Sequence, residues 1–366
     1  MRFRILDRYI LKELGSSFMF GVLTFTTILV AGDLLFKVAE LLIEKGISMV
    51  TVLKLFVYKL PSVVVITLPM SCLLSTLLSF GRLSSDSEIV ALKASGISFQ
   101  RIALPVLLGS SLIALTALFM NETVVPLANK AADNVLRYDV VKQKPSLLKE
   151  RIFLKDESGG TLNRVMYIGI LRARIGVMEN VVVQEFAEGR LSRITTADRG
   201  NWEEGVWSLS DGKVFGVDGE GRVSFLFGFK NQRLPLSLTP TQVASSSQDP
   251  DSMSIKQLMA HMDLMKAQGA NLVPLWVSFH LHLAVPWASV VLALIGAALG
   301  VRPQRKSGGM GMGFGLSVLI VFAYYVVMSM GRALGESGHI PPFFAAWLPN
   351  IIFLSCGGLL TARANR

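Results

Sequence analysis

The apolar positions of this chain fall into two rhythms. Near both ends they form unbroken runs, and in the middle they alternate with polar residues. A helix needs about 20 apolar residues to cross the hydrocarbon core of a bilayer. Six runs meet that length: 14–36, 55–80, 102–121, 275–300, 312–334 and 343–361. The first follows the basic segment MRFRILDR, but its apolar run is too long for a secretory leader and no small-residue cleavage site follows. It is therefore read as a retained span.

Between the third and fourth runs the period drops to two. Stretches such as 164-RVMYIGIL-171, 180-NVVVQEF-186 and 222-RVSFLFGF-229 predict strands. Turn signals punctuate them at 156–160 (DESGG), 188–189 (EG), 198–201 (DRGN), 211–212 (DG) and 218–221 (DGEG). Short strands with turns every 8–12 residues point to an antiparallel sandwich or jelly roll. The segments 123–141 and 253–269 read as helices joining this domain to the spans, the second with Ile255, Leu258, Met259, Met262 and Met265 on one face. The fold class is thus membrane α-helical, six transmembrane helices with an inserted all-β domain, sandwich or jellyroll-like. Its parts are spans 1–3 at 1–121, a connecting helix at 122–150, the β domain at 151–241, a linker and amphipathic helix at 242–272, and spans 4–6 at 273–366.

Composition agrees. The chain is 51% hydrophobic and 17% charged, against about 25% charged in typical soluble domains. Cys72 and Cys356 both sit in apolar runs and read as free, buried thiols. The net charge of +10 resides outside the middle segment, since residues 122–272 hold 19 Lys and Arg against 18 Asp and Glu. Basic residues near span ends mark the cytoplasmic side. One set of loops and termini carries twelve: Arg2, Arg4, Arg8, Lys12, Arg82, Lys93, Arg101, Arg302, Arg305, Lys306, Arg363 and Arg366. The other, apart from the middle segment, carries five: Lys37, Lys45, Lys54, Lys59 and Arg332. Both termini and the 81–101 loop are therefore expected in the cytoplasm, and the β domain outside it. The pattern marks topology, with no basic, aromatic-interleaved surface for nucleic acid.

Signatures of catalysis are scarce. His280 and His282, two residues apart, point to different sides of a helix. The glycine run 308-GGMGMGFG-315 lacks the Lys-Ser/Thr of a phosphate-binding loop and reads as a loop followed by close helix packing. Charges at the outer span ends are more informative: Asp33 and Lys37 are i,i+4, as are Arg332 and Glu336, with Lys59 and Glu122 at similar depth. Charges at the hydrocarbon edge snorkel, pair, or line an aqueous cavity. Here they define either local salt bridges or a polar collar for the phosphates of an anionic lipid, with Lys37 the leading residue.

The loop 81-GRLSSDSEIVALKASGIS-98 carries more structure than a turn needs. Ser85 and Glu88 have capping-box spacing, Asp86 and Glu88 sit in the first turn, Lys93 comes late, and Gly96 follows as a stop. The expected helix, about 85–95, presents Ile89 and Leu92 on one side with Glu88 nearby. It reads as a knob for a partner's groove, or else as a surface helix at the membrane interface.

In three stretches, 6-LDRYILKE-13, 82-RLSSDSEIVALKASGIS-98 and 340-IPPFFAAWLPN-350, and in its order of spans and β domain, the chain resembles the LptF/LptG permease family of the lipopolysaccharide ABC exporter. The resemblance implies an inner-membrane subunit of a diderm bacterium that pairs with a paralogous six-span permease or a second copy. It implies a dimeric cytoplasmic ABC ATPase using ATP and magnesium, with no cofactor on this chain. It also implies lipopolysaccharide as cargo, handed to periplasmic jellyroll bridge proteins. The helix after span two would be the coupling helix, carrying Asp86, Glu88, Ile89 and Leu92. Spans one and five would form lateral gates, placing Lys37 beside the lipid cavity and Arg332 at the outer end of the other gate helix; Asp33, i,i+4 to Lys37, is a further lipid-binding candidate. Arg137 approximates a basic residue that follows span three in some members, with the acidic Asp133 four residues before it.

Two other functions compete. A membrane-anchored scaffold for a periplasmic envelope-assembly partner would need the β domain but not the span-end charges. A lipid-modifying enzyme would need convergent acids, metal ligands or an activated nucleophile, and the sequence offers none of these constellations.

Overall fold

In lipid every backbone N–H and C=O must be satisfied within the protein, so long apolar runs become helices. The computed structural model describes residues 5–34, 48–135, 148–158, 161–172, 175–187, 190–203, 205–218, 222–234, 239–240, 243, 250–267, 271–301 and 309–364. These fall into two compact units, 1–140 with 273–366, and 141–272.

The first unit is helical. Helix α1 (Ile5–Leu29) runs into a π-helical turn at Val30–Leu34, and α2 spans Met49–Ser85. A short helix, α3 (Glu88–Ala94), follows, then α4 (Phe99–Phe119), a second π-helical turn (Met120–Val124) and α5 (Val125–Val135). Among the described residues six stretches of helix are long and apolar enough to cross a membrane, beginning with Ile5–Gly32, Met49–Ser85 and Phe99–Val135. The second and third of these have 37 residues each. At about 1.5 Å per residue they exceed a hydrocarbon core of about 30 Å and project beyond it.

The second unit holds an antiparallel sheet of strands β1 (Leu148–Ser158), β2 (Thr161–Arg172), β3 (Val177–Ala187), β4 (Arg190–Glu203), β5 (Val206–Val217) and β6 (Val223–Leu234). Each strand pairs with its sequence neighbour in the order β1 to β6. Among the described residues the strands thus follow one another as an antiparallel meander, the inserted all-β domain that the alternation predicts. Its core gathers inward-facing residues, among them Ile152, Ile168, Met178, Val181, Trp207 and Leu209. Two expected turns are strand interior. The 198–201 segment lies within β4, and Asp211–Gly212 lies within β5, where Gly212 pairs with Ala197. Asp211 takes a φ of +53°. Asp-Gly here supplies a local irregularity within a strand, and pairing to two neighbours overrides the turn propensity.

After a 3-10 turn (Pro250–Ser252), α6 (Ile255–Ala267) opens on a reciprocal capping box. Ser254 N–H donates to Gln257 Oε1 at 3.1 Å, and Gln257 N–H donates to Ser254 Oγ at 3.2 Å. Leu258, His261 and Met262 are buried, whereas Met259, expected on the same face, is exposed.

The first unit resumes with α7 (Val273–Gly300), α8 (Gly309–Glu336) and α9 (Pro342–Ala364). Helices α2 and α7 are the most buried spans and α1 and α8 the most exposed. Small residues four apart permit the close central packing. A Cβ on Gly296 would lie 2.8 Å from the Leu73 carbonyl, and one on Gly300 would lie 2.7 Å from Phe80 Cβ. Gly331 and Gly335 of α8 lie in the same way against Ala345 of α9. Residues 309–311, expected as loop, are helical and form the start of α8, and Gly313 lies close to Leu78 of α2 as the close-packing reading expects. Cys72 is buried as expected, but Cys356 is exposed on α9.

Candidate functional site

The chemistry of the helical unit concentrates around α3. Helix α2 continues through Ser85, whose hydroxyl donates to the Arg82 carbonyl at 2.8 Å. The chain turns at Asp86 and Ser87, with Ser87 in the left-handed region at φ +60°, and α3 begins at Glu88 with no side-chain cap. The expected Ser85–Glu88 capping box does not form, because Ser85 belongs to the preceding helix. The C-terminal stop does form. Ile97 N–H donates to the Leu92 carbonyl at 3.1 Å and Gly96 N–H to the Lys93 carbonyl at 3.0 Å. Gly96 has φ +83°. This is a Schellman closure, which calls for a residue without a Cβ.

Ile89 and Leu92 do not face outward. Ile89 is 1% exposed and packs with Ile10, Leu83, Phe99 and Ile102, with Leu92 against the same cluster. An apolar pair on a two-turn helix is better buried against its own chain than left in water. The outward stripe is Ser87, Val90, Ala91 and Ala94, with Asp86 exposed beside it and Val90 62% exposed.

Three side-chain links fasten the start of α1 around this helix. Arg101 of α4 grips Asp7 with Nη1 to Oδ1 at 2.6 Å and Nη2 to Oδ2 at 3.0 Å. Tyr9 Oη donates to Glu88 Oε2 at 2.7 Å. Arg82 of α2 pairs with Glu13 at 2.6 Å. Below them, Ser75 Oγ donates to the Leu14 carbonyl at 2.8 Å, and Ser79 Oγ to the Glu13 carbonyl at 3.3 Å and the Ser17 hydroxyl at 3.1 Å. Ser84 Oγ donates to the Val301 carbonyl at 2.9 Å, tying the end of α2 to the end of α7. Charge patterning assigns Arg82 and Arg101 to topology alone and singles out none of Asp7, Tyr9 and Glu13. Two acids within the basic segment MRFRILDRYILKE were the available signal.

The opposite end of the spans holds the candidates for lipid contact. Arg332 Nε donates to Glu336 Oε1 at 2.6 Å, the i,i+4 pair that the spacing predicts. Asp33 lies in the π-helical turn after α1. Lys37 and Arg137 lie outside the described residues. Nearby polar links include Lys59 Nζ and Ser62 Oγ, both donating to Asn129 Oδ1 at 3.2 and 3.4 Å. Among the described residues no group of His, Cys, Asp or Glu could hold a metal ion.

Three spans, an inserted antiparallel β domain and three more spans, with a short helix clamped where the second span turns into the third, define a polytopic membrane protein of the transport-permease class. The chain belongs to the lipopolysaccharide export system permease family LptF/LptG, whose pattern it matches over residues 8–363. It is 24% identical over 356 residues to the lipopolysaccharide export system permease protein LptG of Escherichia coli K12, covering 96% of both chains. It is 20% identical over 293 residues to LptG of Haemophilus influenzae, covering 78% of both.

Proposed function

We propose that this chain is the permease subunit that takes lipopolysaccharide out of the inner membrane, with ATP and magnesium used by a separate cytoplasmic ABC ATPase dimer. In this reading both termini and α3 are cytoplasmic and the sheet is periplasmic. The observation that carries it is the clamped short helix. Asp7, Tyr9 and Glu13 of α1 are bonded to Arg101, Glu88 and Arg82, so a load applied to α3 reaches the first span, which is largely exposed on its outer side. The ATPase seats on the outward stripe of Val90, Ala91 and Ala94 with Asp86 and Glu88 at its rim, while Ile89 and Leu92 anchor the helix from within.

The exposed apolar faces of α1 (Met19, Phe20, Leu23, Ile28) and α8 (Leu319, Phe322, Met330) are available to acyl chains and to a second six-span subunit. Lys37, Arg332 and Arg137 serve as the cationic contacts for lipid phosphate, with Asp33 the i,i+4 partner of Lys37 in the same lipid-binding group. Closure driven by the ATPase moves the lipid toward the β domain. Its edge strand β6 exposes Val223, Phe225, Leu226 and Phe227, and an open edge with apolar side chains suits strand addition by a periplasmic β partner. Both relatives named above are LptG proteins, which favours the G-type subunit.

Mass spectrometry of the gently solubilised chain tests this reading. Co-isolation of an ABC ATPase, a six-span partner and lipopolysaccharide is the expected result. Recovery of periplasmic proteins alone, under conditions that keep membrane complexes intact, would favour the scaffold.

A further inference from the structure

We propose that Tyr9 is a positioning residue for Glu88, and that the first turns of α1 are thereby a working part of the coupling element rather than a membrane anchor alone; this rests on the coupling role given to Glu88 above. Glu88 lies in the first turn of α3, half-exposed, and among the described residues its carboxylate is bonded by Tyr9 alone, through Oε2 at 2.7 Å. An ionised carboxylate has two oxygens and about four acceptor sites. The phenol therefore fixes the side chain's rotamer while Oε1 stays available to a cationic donor on a docking partner. A flexible glutamate on a helix of seven residues would otherwise lose its rotamer freedom at the moment of docking, which weakens association.

The phenol is itself held in place from both sides. Two residues before it, Asp7 is gripped bidentately by Arg101, and four residues after it, Glu13 pairs with Arg82. These links join α1 to α4, α3 and α2 at one end. Farther along, Gly21 and Phe25 of α1 are buried against α2 and α8, and Thr26 Oγ1 lies 3.3 Å from Thr67 Oγ1 of α2, while Met19, Phe20, Leu23 and Ile28 are exposed on the other side. A helix tied at its start and packed along one face carries a displacement of that start to the elements it packs against. Tyr9 is the point at which the displacement of Glu88 enters it.

The test uses the full complex in proteoliposomes, with Tyr9→Phe, Glu88→Ala and the two combined. Lipopolysaccharide released is measured per ATP hydrolysed, and the melting temperature of each variant checks that it is folded. Tyr9→Phe keeps the ring and removes only the donor. It is expected to lower release per ATP by about three- to tenfold, the range set by one unordered side chain at an interface. The combined variant should be no worse than Glu88→Ala alone, since two residues acting through one contact are non-additive. If Glu88→Ala lowers the ratio and Tyr9→Phe does not, or if the two effects add, the positioning role is overturned and the coupling role stands. If Glu88→Ala leaves the ratio unchanged, the coupling role itself fails.

Discussion

Arg101 and Asp7 are 94 residues apart in sequence and meet through two parallel hydrogen bonds, at 2.6 and 3.0 Å. Fork-to-fork pairing is more directional than a single ion contact, and here it sets where α1 starts relative to α4. Removing one partner should release the first turns of α1 without unfolding the bundle. Asp7→Ala is expected to speed amide exchange over residues 5–13 while leaving the β sheet unchanged. Exchange as slow as in the parent chain would mean that apolar packing of Ile10 and Leu14 alone holds the helix.

The central packing makes a stronger demand. Gly296→Leu would drive a side chain into the Leu73 carbonyl and Thr76 of α2, and overpacking of this kind typically costs about 1–3 kcal/mol or more. A clear fall in melting temperature and in monodisperse yield is expected. Gly358→Ala is the comparison, since a Cβ there meets nothing within 4 Å and a helix interior favours alanine over glycine by about 0.5–1 kcal/mol. Equal behaviour of the two variants would contradict the α2–α7 contact.

The Schellman closure of α3 depends on Gly96, whose φ of +83° a side chain adopts at a cost of about 1–2 kcal/mol. Gly96→Val should displace the short helix and reduce lipid release per ATP more than Gly96→Asn, because asparagine tolerates the left-handed region. The same transport assay ranks the two, and an inverted order would exclude the closure as the cause.

Much of this arrangement was legible in advance, for a physical reason. An apolar run of about twenty residues has one stable form in lipid, so the six spans follow from length alone. The short helix was also expected near its observed place, and Gly96 as its stop, because a left-handed cap needs glycine. Its start and its faces were not legible. Ser85 and Glu88 have the spacing of a capping box, but α2 extends through Ser85; the box that forms is Ser254 with Gln257. Ile89 and Leu92 define an apolar side, yet periodicity cannot say whether a partner or the same chain covers it. The links Asp7–Arg101 and Tyr9–Glu88 join residues far apart in sequence, which no local pattern records. At Asp211–Gly212 a strong turn signal lost to pairing on both sides.

A buried polar chain within the membrane offers a measure of internal packing. Tyr324 Oη donates to Asn350 Oδ1 at 3.0 Å, and Asn350 Nδ2 donates to the Ala284 carbonyl at 2.8 Å. This links α8, α9 and α7. Hydrogen bonds between membrane helices average about 0.6 kcal/mol, so Tyr324→Phe should lower the melting temperature slightly. Asn350→Leu should lower it more, because it removes both bonds. No change in the second variant would show that the network adds nothing to packing.

On the sheet, Phe227 is 53% exposed on edge strand β6. Phe227→Glu should leave stability within about 0.5 kcal/mol, as exposed substitutions generally do, while weakening capture of a periplasmic β partner. Site-specific crosslinking from residue 226 reads that capture. Undiminished crosslinking in the variant would move the docking edge elsewhere, with β1 the remaining edge.

The most direct test of the whole account is lipid transport by the reconstituted complex. The chain, its six-span partner and the ATPase are placed in proteoliposomes loaded with lipopolysaccharide, and release to an added periplasmic acceptor is followed with and without ATP. The account predicts release that requires ATP and falls several-fold per ATP hydrolysed in Glu88→Ala, with the complex still assembled. Release that is independent of ATP, or coupling unchanged by that substitution, would contradict it.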